Sequence, residues 1–133
     1  MDSDANKEAA EATLTGSLPF PEIIGRLMTN NVECYRVDFT QLTITFYSGA
    51  GSTTVNPLPL KNLPAIAADL DVPLLKLVIL DSQKNGQKFR QFCERAIKAG
   101  VQTYFVFLQG HRVDYMGRKG DQHIEWFSGA RKQ

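Results

Sequence analysis

Four residues near the end of this 133-residue chain, Arg112, Asp114, His123 and Glu125, have the types that acid–base chemistry on a small anion would need. A histidine titrates near neutral pH, a carboxylate orients its ring, and a guanidinium holds a carboxylate or phosphate. Their spacing is i, i+2 within two short segments, which puts each pair on one face of a β-strand. If Gly110-His111 and Arg118-Lys119 each close a two-residue turn, Phe107 opposes Asp114, Asp114 opposes His123 and Arg112 opposes Glu125. All four then lie beside Phe105 and Phe107, while Val106, Leu108, Val113, Tyr115, Ile124 and Trp126 fill the other face. The same residues on a solvated sheet face would only add weak cross-strand attraction, and that plainer reading is preferred over catalysis.

Other chemistries are thinner. His111 and His123 lack the tight spacing of a metal site, and the expectation is no metal and no cofactor. The loop Gly117-Arg118-Lys119-Gly120 has backbone donors beside two cations but precedes a strand, and it lacks the Walker pattern. Cys34 sits next to Glu33, whose charge opposes thiolate formation, and Cys93 falls at an apolar helix position, so both read as free thiols. Phe105 and Phe107 need cover from the chain itself, a second copy or an apolar ligand.

The elements that carry these residues come from an internal repeat. Sliding the sequence by 69 positions makes Phe20, Arg26, Val32, Tyr35, Val37 and Gly51 coincide with Phe89, Arg95, Val101, Tyr104, Val106 and Gly120. Each unit has an amphipathic helix: Phe20, Ile23, Ile24, Leu27 and Met28 in the first, Phe89, Phe92, Cys93, Ala96 and Ile97 in the second. Pro21 suits a first turn, and Asn31 and Gly100 stand where a left-handed residue ends a helix. Beyond each helix the apolar period changes from 3.6 to 2, which predicts a three-stranded meander. Asp71 caps a further helix over Val72–Lys84 that ends at Asn85-Gly86, and Asp4–Leu14 is its counterpart. Asn62–Asp69 is expected as a short helix after the Pro-broken stretch from Asn56 to Leu60.

The predicted fold class is therefore α+β: two pseudo-repeats, each of helices followed by a three-stranded antiparallel meander, packed as one domain. The units are 2–55 and 71–124, with a linker at 56–70, inside a single domain 1–133. This length suffices for a core without disulfides or metals. Fifteen Lys+Arg balance 14 Asp+Glu, with no basic run, which argues against a nucleic-acid partner. The longest apolar run, Val72–Leu80, is broken by Pro73 and Lys76 and is too short for a membrane span. An acidic start at Asp2 and Asp4 without an apolar segment predicts the cytoplasm.

The runs Phe20–Met28, Val32–Asp38 and Gly100–Phe127 resemble a bacterial family, domain of unknown function 1398, some of whose members are called "phage envelope protein". The most specific stretch is Tyr115-Met116-Gly117-Arg118-x-Gly120-Asp121-x-His123-x-Glu125. The resemblance implies a small α+β domain with no assigned activity, and draws attention to Arg112, Tyr115, Arg118, His123 and Glu125. The first unit departs from the motif, having no histidine or glutamate in its third strand. The functional expectation is a non-enzymatic module that binds a small ligand or a protein, with a homodimer as one possibility. Candidate ligand residues are Arg112, Tyr115, Arg118, His123, Glu125, Phe105 and Phe107. The alternative is an enzyme acting on a small anionic substrate, with His123 as acid/base and Asp114 or Glu125 orienting it.

Overall fold

The computed structural model describes residues 1–16, 18–86 and 88–127. Among them the order is α1 (Ser3–Thr15), α2 (Phe20–Thr29), β1 (Val32–Asp38), β2 (Thr43–Ser48), β3 (Thr53–Pro57), α3 (Val72–Asn85), α4 (Phe89–Lys98), β4 (Val101–Phe107), β5 (Arg112–Gly117) and β6 (Gln122–Trp126). The strands make one antiparallel sheet in the order β3-β2-β1-β4-β5-β6. Helix, helix, three strands thus occurs twice, with β1 and β4 joined at the centre.

Local chemistry explains the ends of these elements. The Asp71 carboxylate accepts from the Leu74 amide at 3.0 Å, and Asp2 does the same for the Asp4 amide, so each unit's first helix starts on a capping aspartate. Left-handed residues recur at matching places: Asn31 and Gly100 before the first strands, Leu42 and His111 in the first hairpin loops, Gly51 and Gly120 in the second. At the central seam Tyr35 pairs with Val106 and Val37 with Tyr104, around Arg36 opposite Phe105. Each of these pairs is the other seen after exchanging units, so the seam has local two-fold symmetry.

All four helices pack on one sheet face. A single cluster joins Ala9, Ile23, Leu27, Leu75, Ile79, Cys93, Ala96 and Ile97 from the helices to Tyr35, Val37, Ile44, Phe46, Tyr104, Val106 and Tyr115 from the strands. Hydrophobic burial on this side holds the two layers together.

Two expectations fail. No helix forms over residues 62–69; the segment runs as an irregular strap. Leu58 and Leu60 anchor it in the core, the Ala67 amide donates to the Ile97 carbonyl at 3.3 Å, and the Asp71 amide donates to that of Ala99 at 2.8 Å. Backbone donors that a helix would satisfy internally are spent on α4 and its end.

The second failure is one of register. The loop after β5 has three residues, Arg118, Lys119 and Gly120, with Gly120 at φ +84° and the Gly117 amide donating to the Asp121 carbonyl at 2.8 Å. A three-residue loop ending on a left-handed glycine is a standard hairpin connection. Compared with a two-residue turn it slides β6 by one position: Asp114 faces Ile124, Arg112 faces Trp126, Tyr115 faces His123 and Val113 faces Glu125. A slip of one exchanges the two faces of a strand. The loop before β5 is also longer than expected, so Phe107 faces Arg112 and Phe105 faces Asp114, a shift of two that leaves the faces unchanged.

Candidate functional site

The register divides the four-residue cluster expected from the sequence. Arg112 and Asp114 point to the helix-free face with Phe105 and Phe107, whereas His123 and Glu125 lie on the helix side with Val113 and Tyr115. Ile124 and Trp126, expected in the core, belong to the helix-free face.

That face is a grid of cross-strand rows. One row runs Thr53, Tyr47, Cys34, Phe107, Arg112, Trp126; the next runs Val55, Thr45, Arg36, Phe105, Asp114, Ile124. Phe105 and Phe107 are half-buried and their rings are stacked with planes nearly parallel, 13° apart with centroids at 5.8 Å, and Tyr47 closes on Phe105 at 6.5 Å. The Arg36 guanidinium stands 5.5 Å from the Phe105 ring and that of Arg112 stands 5.4 Å from the Trp126 ring. The two cations differ in what else they hold. Arg36 is tied down by Asp38 at 3.1 Å and by the Thr103 hydroxyl at 3.0 Å, while the exposed Arg112 forms no ion pair among the described residues.

Asp114 is the anomalous group. Its Oδ1 is shut off from solvent and meets no hydrogen-bond partner among the described residues. Partial burial between Phe105 and Ile124 pushes its carboxyl above the usual range, against the opposing pull of Arg112 and His123. A carboxyl raised in the folded state favours folding most below its unfolded value of about 4 and loses that contribution as pH rises through the folded value. Asp114→Asn is therefore expected to be more stable than the parent at pH 7, by up to about 1 kcal/mol once solvent screening is allowed for, and the gap should close toward pH 3. Urea denaturation at several pH values checks this; equal midpoints at pH 7 would count against the strained carboxylate.

The remaining candidates lie elsewhere. His123 Nε2 sits 2.8 Å from Glu125 Oε2, with the histidine largely buried. Tyr115 is core: its ring packs on Tyr104 at 5.5 Å and on Phe92 at 6.5 Å, and burial pushes its hydroxyl far above the usual range. Arg118 donates to the Ile66 carbonyl at 3.3 Å, and Lys119 pairs with Asp69 at 2.6 Å, so the cations of the glycine-rich loop fasten the strap. Cys34, on the helix-free face, has its thiol pushed up by burial first and by Glu33 second, and Cys93 is buried in α4. Among the described residues no group of three or more His, Cys, Asp or Glu is placed to hold a metal, and no helix is long and apolar enough to cross a membrane.

Sequence reasoning missed Trp126 and Ile124 as members of this face. The signal was the paired glycines, Gly51 and Gly120, which call for a three-residue loop in both units. An open hollow of about 600 Å³ between α1 and α2, lined by Ala5, Glu8, Leu18, Gly25 and Arg26 among others, includes none of these residues in its lining.

The two units differ most on this side. Helix-side positions keep their character, as in Tyr35 and Tyr104, Val37 and Val106, Ile44 and Val113, Phe46 and Tyr115. On the open side, Thr43 and Thr45 of the first unit stand where the second has Arg112 and Asp114. No curated protein matches the chain. A family match covers residues 7–125, and the chain belongs to that family, described as "Protein of unknown function (DUF1398)".

Proposed function

We propose that the protein is a non-enzymatic binding module whose helix-free sheet face takes a small aromatic ligand carrying both a positive and a negative group, the chemical class of an aromatic amino acid. The observation that carries this reading is the group of Phe105, Phe107 and Trp126 on a face no helix covers, with Arg112 between Phe107 and Trp126, Asp114 beside Phe105, and neither charge in an ion pair among the described residues. Arg112 offers planar donors to a carboxylate. Asp114 offers a carboxylate short of hydrogen bonds to an ammonium; rotation about its last torsion, which is soft, brings Oδ1 outward. The rings supply apolar contact and a stacking surface. The separation of His123 and Glu125 from Arg112 by the thickness of the sheet removes the anion holder from the proposed acid–base pair.

Trp126 is the chain's only tryptophan, so its fluorescence reports on this face alone. Phenylalanine is expected to change Trp126 emission saturably. Phenethylamine and 3-phenylpropionate, each lacking one charge, are expected to bind roughly tenfold or more weakly, the worth of one charge-assisted hydrogen bond. Arg112→Ala should abolish the preference for phenylalanine over phenethylamine, and Asp114→Ala the preference over 3-phenylpropionate. No response to any of the three compounds at millimolar concentration sinks the proposal.

The 2.8 Å contact between His123 and Glu125 supports a second reading, an acid–base site for a small anion on the helix side. A metabolite whose thermal stabilisation disappears in His123→Gln and survives in Arg112→Ala would favour it.

A further inference from the structure

Helix α3 is apolar on both sides. Leu75, Val78 and Ile79 face the core, while Leu74, Leu77 and Leu80 are 38%, 61% and 43% exposed. Spaced i, i+3, i+6, these three form one continuous outer ridge. The other unit provides an internal comparison. Counting from the capping aspartates Asp2 and Asp71, the positions of Leu74, Leu77 and Leu80 are held in α1 by Ala5, Glu8 and Glu11. The same place in the same architecture is alanine and two glutamates in one unit and three leucines in the other, so the fold itself does not require leucine there. An exposed apolar ridge of this kind marks a surface that something covers.

We infer that α3 is a homodimer interface, in which two copies pack their α3 helices antiparallel about a two-fold axis at Leu77. The ridge is self-complementary under that operation: Leu77 meets its own copy, and Leu74 meets Leu80 of the second chain in both directions, as an isologous contact demands. Charge fits the same arrangement. Lys84, exposed and seven residues beyond Leu77, lies about 10 Å along the helix, and Asp71 lies six residues before it at about 9 Å. Antiparallel packing brings each Lys84 beside the Asp71 end of the other copy, twice per dimer. A parallel arrangement would set lysine beside lysine. The ridge is on the helix layer and leaves the open sheet face of both copies unobstructed.

Sedimentation of the full chain between about 1 and 200 µM tests this. The parent is expected to pass from monomer to dimer across the range. Leu77→Glu, which installs the residue type α1 carries at Glu8, should raise the dimer dissociation constant roughly a hundredfold or more by burying two like charges at the axis. Lys84→Glu should raise it several-fold, and added salt should narrow the difference between Lys84→Glu and the parent. Leu80→Gln serves as a second probe of the ridge should Leu77→Glu prove poorly folded by circular dichroism. A parent that stays monomeric at 200 µM overturns the inference, as does a folded ridge variant that dimerises like the parent. A membrane or a different protein as the true cover would appear as the first of these outcomes.

Discussion

Gly100→Ala is expected to lower the unfolding free energy by about 4 kcal/mol, from two additive causes. Gly100 has φ +96°, and holding a residue with a side chain in such a conformation costs about 1–3 kcal/mol. In addition, a Cβ built there runs into the Asp69 carbonyl oxygen and the Leu70 Cα, which are backbone atoms of the strap and cannot step aside as a flexible side chain would. Forcing them apart costs a further 1–3 kcal/mol or so, and it disturbs the Asp71 amide bond to Ala99 that positions the start of α3. Gly120→Ala is the control. Its φ of +84° is as unfavourable, but nothing lies within reach of the added carbon, so only the conformational part, about 1–3 kcal/mol, should appear. Urea denaturation of both variants separates the two causes; equal losses would mean that the strap yields freely.

Leu75→Ala is expected to cost about 3–5 kcal/mol. Leu75 is wholly buried, and the cavity left by its truncation lies in the cluster that joins α3 to the rest of the core. The corresponding residue of α1 is Asn6, equally buried, but there the interior is polar: its side chain donates to the Thr54 hydroxyl at 3.0 Å and accepts from the Asn30 side chain at 2.7 Å. The two positions do the same mechanical work with different chemistry. Thermal or urea denaturation checks the Leu75 figure, and a loss below about 1 kcal/mol would show that neighbouring side chains collapse into the space.

The capping aspartates, the helix stripes, the alternating strands and the 69-residue offset are short-range features, and each is written directly in residue types. That is why helix and strand identities and the two-unit order were legible. Residues 62–69 were not, because a strap held by Leu58, Leu60 and bonds to Ile97 and Ala99 depends on partners far along the chain. The candidate site was half legible. Arg112 and Asp114 fall beside Phe105 and Phe107 as expected, since the shift of two in the first hairpin preserves the faces. His123 and Glu125 went to the opposite side because one extra loop residue before β6, imposed by the left-handed Gly120, inverts everything after it. Alternation fixes which residues go together on a strand, but loop length decides which way they point.

The central seam also governs how the chain emerges from a ribosome. Each meander closes through loops of three or four residues, a fast local event, whereas Arg36 must wait for Phe105. At roughly 5–20 residues per second, β1 is synthesised several seconds before its partner β4 exists. Throughout that interval the completed first unit carries a bare strand edge along Val32–Asp38, the kind of template that invites pairing with a neighbouring nascent chain. The seam that makes one sheet of two units is thus also the place where translation speed bears on yield, and slowing elongation between α3 and β4 should increase misassembly.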